Sequence, residues 1–410
     1  MTVEDGLPVY VGLDWAAEIH AVCVIDHAGQ QLAAFCVDHS ADGISSLIRK
    51  LARYGDPADA QVGIERPNGR LVDLLLEAGH PVVPVSPNAI KTWRESEVLS
   101  AAKSDAGDAA VIAEYLRLRN HRLRPVQPYS PSTKALRTVV RSRDDLVRMR
   151  VAATNQLDAI LDAHWPGAKA IFADTESAIS LAFLRRYPTA TAAAHLGEQR
   201  LTAFIAKRGY SGNRSPAQLL ARLRAAPAGT TDPALTAAVG DVVQAFVEVV
   251  GALSTAIKRL DKSVIARLGE HPDAAIFTSL PRSGQINAAQ VLAEWGDVRE
   301  AYDGPDAVAA LAGLTPVTKE SGKRQHAVHF RWACNKRFRV AVTTFADNSR
   351  HASPWAATIY RRARARGHDH PHAIRILARA WVRVIYRCWH TSQPYDVNLH
   401  GGAQRMQIAA

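Results

Sequence analysis

The sequence predicts an α/β domain at the N-terminal end followed by a long, mainly α-helical remainder. Three observations lead there. Strand-length and helix-length apolar runs alternate through Leu118. A heptad of apolar residues runs between Pro233 and Leu268. Charge changes sign along the chain: residues 1–128 hold 12 Lys+Arg against 17 Asp+Glu, whereas residues 271–410 hold 19 against 10.

The α/β part opens with a strand at Val9 to Asp14. A second strand at Ala21 to Asp26 turns through His27-Ala28-Gly29-Gln30 into a third, Gln31 to Val37, giving an antiparallel meander. A helix is expected from Ile44 to Tyr54, a strand from Gln61 to Glu65, a helix from Arg70 to Ala78 and a strand from Pro81 to Val85. A further helix carries Asp105 and Asp108 and runs on to Leu118. Three meandering strands followed by two βα-type units is the order of a ribonuclease-H-like domain.

Four acids stand out in that order. Asp14 and Glu65 end strand-length runs, and Asp105 and Asp108 are three apart, on one face of a helical turn. A lone Asp after a strand is usually a turn residue or an N-cap. The ordered set is the stronger signal. Carboxylates at strand ends, facing carboxylates on a helix, form a cage for hard divalent cations. Two such ions about 3.5–4 Å apart clamp both the attacking and the leaving oxygen of a phosphodiester. Magnesium suits an all-oxygen site that keeps several waters.

Residues 121–135, with Arg122, Arg124, Pro125, Pro128 and Pro131, read as a linker. Helices follow at Thr133 to His164 and Pro233 to Leu268. Along the latter, Val239, Val243, Phe246, Val250, Leu253, Ile257, Leu260 and Val264 alternate spacings of four and three, the pattern of a coiled-coil seam. Its partner is the Thr133–His164 helix of the same chain or of another, or the seam buries against a bundle. Residues 165–230 read as short Ala-rich helices broken by Pro166, Pro188 and Gly209-Tyr210-Ser211-Gly212-Asn213, and no chemistry is assigned to them. The expected domains are 1–125, 126–270 and 271–400.

The last third carries the positive charge. Residues 319–387 hold 16 basic and 3 acidic residues, the footprint of a polyanion partner. Leu280-Pro281-Arg282-Ser283-Gly284 precedes an Ala-rich helix whose first backbone N–H groups suit a phosphate. Ser321 sits beside Gly322 and among Lys319, Lys323 and Arg324. Its hydroxyl is a candidate nucleophile toward a phosphodiester, although Ser-Gly is also a frequent turn dipeptide. Lys336 and Arg337 open another helix. Arg375, Arg379, Arg383 and Arg387 recur every four residues and form a basic stripe. His368-Asp369-His370-Pro371-His372 reads as a polar loop or helix cap rather than a ligand cluster, and His326 and His329 lack a third and fourth ligand.

The chain resembles the DEDD-type transposases of bacterial insertion sequences, the bridge-RNA-guided recombinases. The resemblance covers most of the chain. At the front it lies in Gly12-Leu13-Asp14, Ile64-Glu65 and Lys103-Ser104-Asp105-Ala106-Gly107-Asp108-Ala109, similar to that family's RuvC-like domain. At the back it lies in Leu280-Pro281-x-x-Gly284, Glu294-x-Gly296-Asp297, Gly313-Leu314-Thr315-Pro316, Ser321-Gly322 and Asn335-Lys336-Arg337, similar to its mainly helical transposase domain. The pattern Ser353-Pro354-Trp355, Arg366-Gly367, Ala373-x-Arg375-x-Leu377 and Tyr395-Asp396 closes it.

The resemblance implies that Asp14, Glu65, Asp105 and Asp108 bind Mg2+, and that Ser321 joins covalently to a DNA phosphate and frees a 3′-hydroxyl. It implies that a noncoding bridge RNA pairs with donor and target DNA, and that a homo-oligomer, dimer or tetramer, shares composite sites. Lys319, Lys323, Arg324, Lys336, Arg337, Arg375, Arg379 and Arg383 are the expected nucleic-acid contacts. A RuvC-like endonuclease or resolvase hydrolysing DNA without a serine adduct is the alternative. The chain departs from the family pattern in Glu320 before the serine, in Arg282-Ser283 and in Phe338, where many members carry Gly.

Bulk properties agree with a DNA-acting protein. Net charge is +11. Cys23, Cys36, Cys334 and Cys388 form no CxxC pair, which argues against a zinc ribbon or a disulfide framework. No signal peptide or membrane span is expected, so the expected location is the bacterial cytoplasm, at the nucleoid.

Overall fold

The structure is a computed structural model that describes residues 7–97, 104–321, 324–402 and 404; the side chains of 97, 318–321 and 324–328 lie outside that description. The chain divides into two compact units, Met1–Pro128 and Tyr129–Ala410.

The first unit is a mixed five-stranded sheet between layers of helices. Its elements are β1 (Val9–Asp14), β2 (Ile19–Ile25), β3 (Gln31–Asp38), α1 (Ala41–Leu51), β4 (Ala60–Ile64), α2 (Arg70–Glu77), β5 (Val82–Pro84), α3 (Pro87–Glu97) and α4 (Asp105–Arg119). The strand order is β3-β2-β1-β4-β5. β1 is antiparallel to β2 and parallel to β4, with Leu13 opposite Val22 on one side and Ile64 on the other. The expected strands and the Asp105 helix are all present; the helix α3 has no counterpart in the sequence reading.

Alternation along β1 sorts the two layers. Val9, Val11 and Leu13 face a core with Leu47 of α1 and Leu75 of α2. Tyr10 faces the other side, in a core with Ala109, Ala113 and Leu116 of α4. Gly12 shares that second face. A Cβ built on it would lie 1.9 Å from the Ala109 carbonyl oxygen and 2.5 Å from the Ala113 nitrogen. On β4 the neighbouring Gly63 leaves room for Ile112 and Leu116. The paired glycines therefore let α4 lie directly on the sheet backbone.

The second unit starts with a helical hairpin. α5 (Pro131–His164) packs on α10 (Pro233–Gly269) of the same chain. The helices are antiparallel: Leu136 and Val140 share a core with Val264 and Leu268, while Leu157 and Leu161 share one with Val239, Val243 and Val250. The heptad seam thus closes within the chain, with Val247 buried alongside it. α10 is long and apolar enough to cross a membrane by length and composition, but Val239, Val243, Val247 and Val250 are buried in the hairpin core. Between the arms, α6 (Pro166–Ile171), α7 (Ala178–Arg186), α8 (Glu198–Lys207) and α9 (Pro216–Ala225) cap the far end of the hairpin through Phe183, Phe204 and Leu219.

The other end of the hairpin joins a helical bundle of α11 (Ala274–Thr278), α12 (Gln285–Trp295), α13 (Pro305–Leu311), α14 (Lys336–Ser349), α15 (Pro354–Ala365) and α16 (His370–His390). A two-stranded hairpin, β6 (Val317–Ser321) and β7 (Arg324–His329), projects between α13 and α14. Trp295 stacks edge-on against Phe338 and Trp389 at the centre of the bundle. Phe338 is fully buried in the first turn of α14, so its side chain fills core where a glycine would leave a void.

Beside that aromatic centre lies the buried carboxylate of Glu294. It accepts two 2.7 Å bonds from Arg141 of α5 and one of 2.6 Å from Asn335, the N-cap of α14. Burial alone would raise its carboxyl pKa; the Arg141 and Asn335 bonds and nearby Arg137 outweigh burial and hold it below the ordinary value. Two residues on, Gly296 takes φ +87 where a Cβ would strike the Tyr129 ring. Asp297 accepts from the Ser130 backbone nitrogen. The Glu294-x-Gly296-Asp297 pattern therefore docks α5 onto α12 and α14.

A methyl group at Gly12 tests the sheet-to-helix contact. Gly12→Ala is expected to destabilise the chain by about 1–3 kcal/mol, as overpacking does, in urea unfolding followed by circular dichroism. An unchanged midpoint would show that α4 does not rest on β1.

Candidate active site

The direction of α4 decides where its acids go. Arg117, near the helix C-terminus, donates to the His27 carbonyl in the β2–β3 turn. That turn follows Ile25, which pairs with Tyr10 near the start of β1. The α4 C-terminus thus lies at the beginning of β1, and its N-terminus, with Asp105 and Asp108, lies at the end of β1 where Asp14 stands. Asp14 is two residues beyond Gly12 and shares its face. Glu65 is two beyond Gly63 and follows β4 in the register next to Asp14. Asp14, at the end of β1, and Glu65, just past the end of β4, thus lie toward the same end of the sheet as the first turn of α4 with Asp105 and Asp108.

Local chemistry supports each position. Ser104 caps α4, its hydroxyl accepting from the Gly107 nitrogen at 3.1 Å, and the acids of the first turn complement the helix dipole. Asp108 pairs with Arg94 of α3, both largely buried. Asp14 and Glu65 are half-buried and Asp105 is exposed.

Two contacts that the sequence reading missed steady the edge. The residues following the two strand acids meet: the Arg66 guanidinium lies over the Trp15 ring, 4.5 Å from its centroid. Behind them His20 is fully buried. Its Nδ1 accepts from the Ala16 nitrogen at 3.2 Å, so its Nε2–H donates to His39 Nδ1 at 2.8 Å. Burial, with His39 beside it, lowers the His20 pKa and keeps the ring neutral. The one sequence signal for the Trp15–Arg66 contact is positional: each residue directly follows an acid on one of two parallel neighbouring strands.

The donor set is wholly carboxylate, which suits a hard cation. Among the described residues no three His, Cys, Asp or Glu side chains already stand together as a metal site. A cation drawn to Asp108 competes with Arg94.

In the second unit Ser321 ends β6, opposite Arg324 at the tip of the hairpin, with a register shift between Lys319 and Ser321. Lys103 and Lys323 lie outside the described residues, as do the side chains of Lys319, Ser321 and Arg324. Lys336 is exposed at the start of α14. Arg337 is committed to α5: it grips both Asp145 oxygens at 2.7 and 3.0 Å and donates to the Arg141 carbonyl. Arg375, Arg379 and Arg383 line a hollow of ≈ 580 Å³ with Thr315, Phe330 and Arg331. Asp306 of α13 reaches Arg379 at 3.1 Å and Arg383 at 3.5 Å, a restraint that the four-residue spacing along α16 cannot reveal. Asp369 caps α16 by accepting from the His372 nitrogen, with Pro371 in the first turn, so the His-rich stretch starts a helix. A second basic hollow, ≈ 790 Å³, lies in the helical arm and includes Arg185, Arg208, Lys258 and Arg259.

Comparison with known proteins bears on both units. Residues 11–166 match the DEDD-type IS110 family model, described as a transposase, and residues 274–361 match the model described as transposase of the IS116/IS110/IS902 family. The chain is 32% identical over 401 residues to a Streptomyces coelicolor protein named for the IS117 mini-circle transposase, covering 96% of each. It is 28% identical to the 42 kDa protein of insertion element IS900 from Mycobacterium paratuberculosis, covering 92% of this chain and 95% of that one. It is also 26% identical to the 44.8 kDa protein of IS116 from Streptomyces clavuligerus, covering 92% and 94%.

Asp306→Asn releases Arg379 and Arg383 from their carboxylate. Tighter binding to a DNA duplex at low salt is expected, with the dependence of log K on log salt steeper by up to about 0.9 per guanidinium that gains a phosphate. An unchanged slope would place both arginines away from the nucleic acid.

Proposed function

Because the chain belongs to the IS110/IS116 family of insertion-sequence transposases, we propose that it cuts and rejoins DNA through a serine–phosphate intermediate, using the acidic edge of its first unit and Ser321 of its second. What supports this reading is the close packing of α4 on Gly12, with Asp105 and Asp108 in the first turn of α4 and with Asp14 and Glu65 at the ends of the neighbouring strands. The strand order, three antiparallel strands followed by two parallel ones, supports a ribonuclease-H-like, RuvC-like first unit.

In this mechanism the Ser321 Oγ attacks a backbone phosphorus. The P–O3′ bond breaks, and the serine proton is carried, through a basic oxygen nearby, to the leaving 3′ oxygen, which departs as a hydroxyl. The protein then holds the 5′ phosphate as an ester of Ser321. Attack by another 3′-hydroxyl reverses the chemistry and joins new strands. One phosphodiester is exchanged for another at each step, so no ATP is required. The four carboxylates would hold Mg2+, which would neutralise charge developing on the phosphate. Arg66 on Trp15 and the His20–His39 hydrogen bond hold the Asp14 and Glu65 loops in place. The cations about the β6–β7 hairpin, Lys319, Lys323 and Arg324, together with Lys336, balance the phosphates of the bound strand.

Partner choice follows from the charge. The basic face of α16 and the basic hollow of the helical arm suit nucleic-acid backbones, and we assign these surfaces to element and target DNA and to a noncoding bridge RNA that supplies the sequence reading. The acids of one subunit and the serine of another act together in a dimer or tetramer. The α5–α10 seam is closed within the chain, so assembly uses other surfaces. The protein works at the bacterial nucleoid.

Incubating the wild-type chain with Mg2+ and DNA bearing the element ends is expected to give a detergent-stable protein–DNA adduct. Ser321→Ala is expected to lose the adduct while retaining DNA binding. Cleavage without any adduct in the wild type would instead favour a RuvC-like nuclease that hydrolyses DNA with water.

A further inference from the structure

Trp332 is 75% exposed, an unusual position for so large an apolar surface, whereas Trp165, Trp295, Trp381 and Trp389 are buried and the other three partly so. It stands three residues past β7, in the segment that leads from the Ser321 hairpin back to α14. Its ring meets Phe330 edge-on, with centroids 5.0 Å apart and planes at 81°.

The segment that presents Trp332 is irregular but firmly tied. Phe330 lies beneath two guanidinia, Arg339 at 4.3 Å and Arg375 at 4.9 Å from its centroid. Arg339 donates to the Arg331 carbonyl and, at 3.4 Å, to that of Ala312. Arg331 Nε donates to the Thr315 carbonyl at 3.1 Å. On the far side the Asn335 nitrogen donates to the Leu311 carbonyl at 2.8 Å. Gly313, at φ +66, makes the crossing possible, since a Cβ there would lie 2.2 Å from Arg339 Nη2. Trp332 is thus held out by a braced turn.

Beside that turn lies the ≈ 580 Å³ hollow, lined by Phe330, Arg331, Arg375, Arg379 and Arg383. Its size is that of a small-ligand site. Burial, together with Arg339, disfavours the charge on Arg375, with Asp369 acting in the opposite direction. An anion in the hollow would relieve that cost.

A braced, exposed indole next to an arginine-lined hollow has the two parts of a single-strand binding element: a π-face for a base and cations for its backbone. We propose that Trp332 stacks on an unpaired base of the DNA strand led to the Ser321 hairpin, and that the adjoining hollow takes the phosphate of that nucleotide. This rests on the DNA-joining reading above. Duplex DNA offers Trp332 no free base face, so the contact selects frayed or unpaired DNA.

The test is equilibrium binding of a labelled DNA oligonucleotide by fluorescence anisotropy, in the Ser321→Ala background without Mg2+, so that no chemistry intervenes. Adding Trp332→Ala is expected to weaken single-stranded DNA binding about 5- to 100-fold and to leave blunt-duplex affinity and thermal stability unchanged. Adding Trp332→Phe, which keeps a π-face, is expected to restore most of the binding. Single-strand affinity unaltered by Trp332→Ala would overturn the proposal. So would an equal loss on duplex, or a loss confined to an RNA oligonucleotide. The adduct assay separates the two readings. An adduct formed by the Ser321 protein, alongside unaltered Trp332→Ala binding, removes only the stacking contact. A single-strand loss without any wild-type adduct removes only the serine chemistry.

Discussion

The first unit is organised by the near contact of two backbones. At Gly12 the sheet and α4 approach so closely that no side chain fits between them, and Gly63 repeats the condition on the next strand. The approach sets both the height and the direction of α4. It therefore brings the first turn of α4, with Asp105 one turn before Ala109 and Asp108 directly before it, toward the end of the sheet where Asp14 ends β1 and Glu65 follows β4. The helix N-terminus and Arg94 stabilise the Asp108 carboxylate there, and in the proposed chemistry a divalent cation would add to that.

The second unit solves a different problem, how to hold a basic surface on a stable frame. Removing Arg141 or Asn335 would leave Glu294 buried without its partners, the costly arrangement for an ion in a protein interior. With both in place, α5, α12 and α14 share one anchor beside the Trp295 cluster. Several arginines that look available along the sequence are structural for this reason: Arg337 grips Asp145, and Arg141 grips Glu294. Others, including Arg375, are left facing a hollow. Composition alone does not separate these groups, because the distinction lies in which helix stands opposite.

That contrast explains how much was legible in the sequence. The strands of the first unit, the Asp105 helix, the apolar stripe of α10 and the cap at Asp369 each follow from neighbours within a few positions, and all are readable. The chain-internal, antiparallel closure of the α5–α10 seam is not, since a heptad specifies a partner face without naming its owner. The β6–β7 hairpin has too little apolar alternation around Lys319-Glu320-Ser321 to announce two strands. Arg94 on Asp108, Arg66 on Trp15 and Asp306 on Arg379 join separate elements, so only the fold reveals them. Phe338 reads locally as a departure from a glycine turn, whereas in three dimensions it is the ring against which Trp295 packs.

The central claim of the proposed function is that, with α4 packed on the glycine face, the four acids act together on one cation. The most direct measurement is Mn2+ binding by electron paramagnetic resonance, on the full chain and on Asp14→Asn, Glu65→Gln, Asp105→Asn and Asp108→Asn. If the four act as ligands of one site, each variant loses affinity by more than the about 10-fold that a change outside the coordination sphere costs at minimum. Wild-type affinity in either helix variant, with the fold intact, would contradict the account, because the edge would then consist of the two strand acids alone.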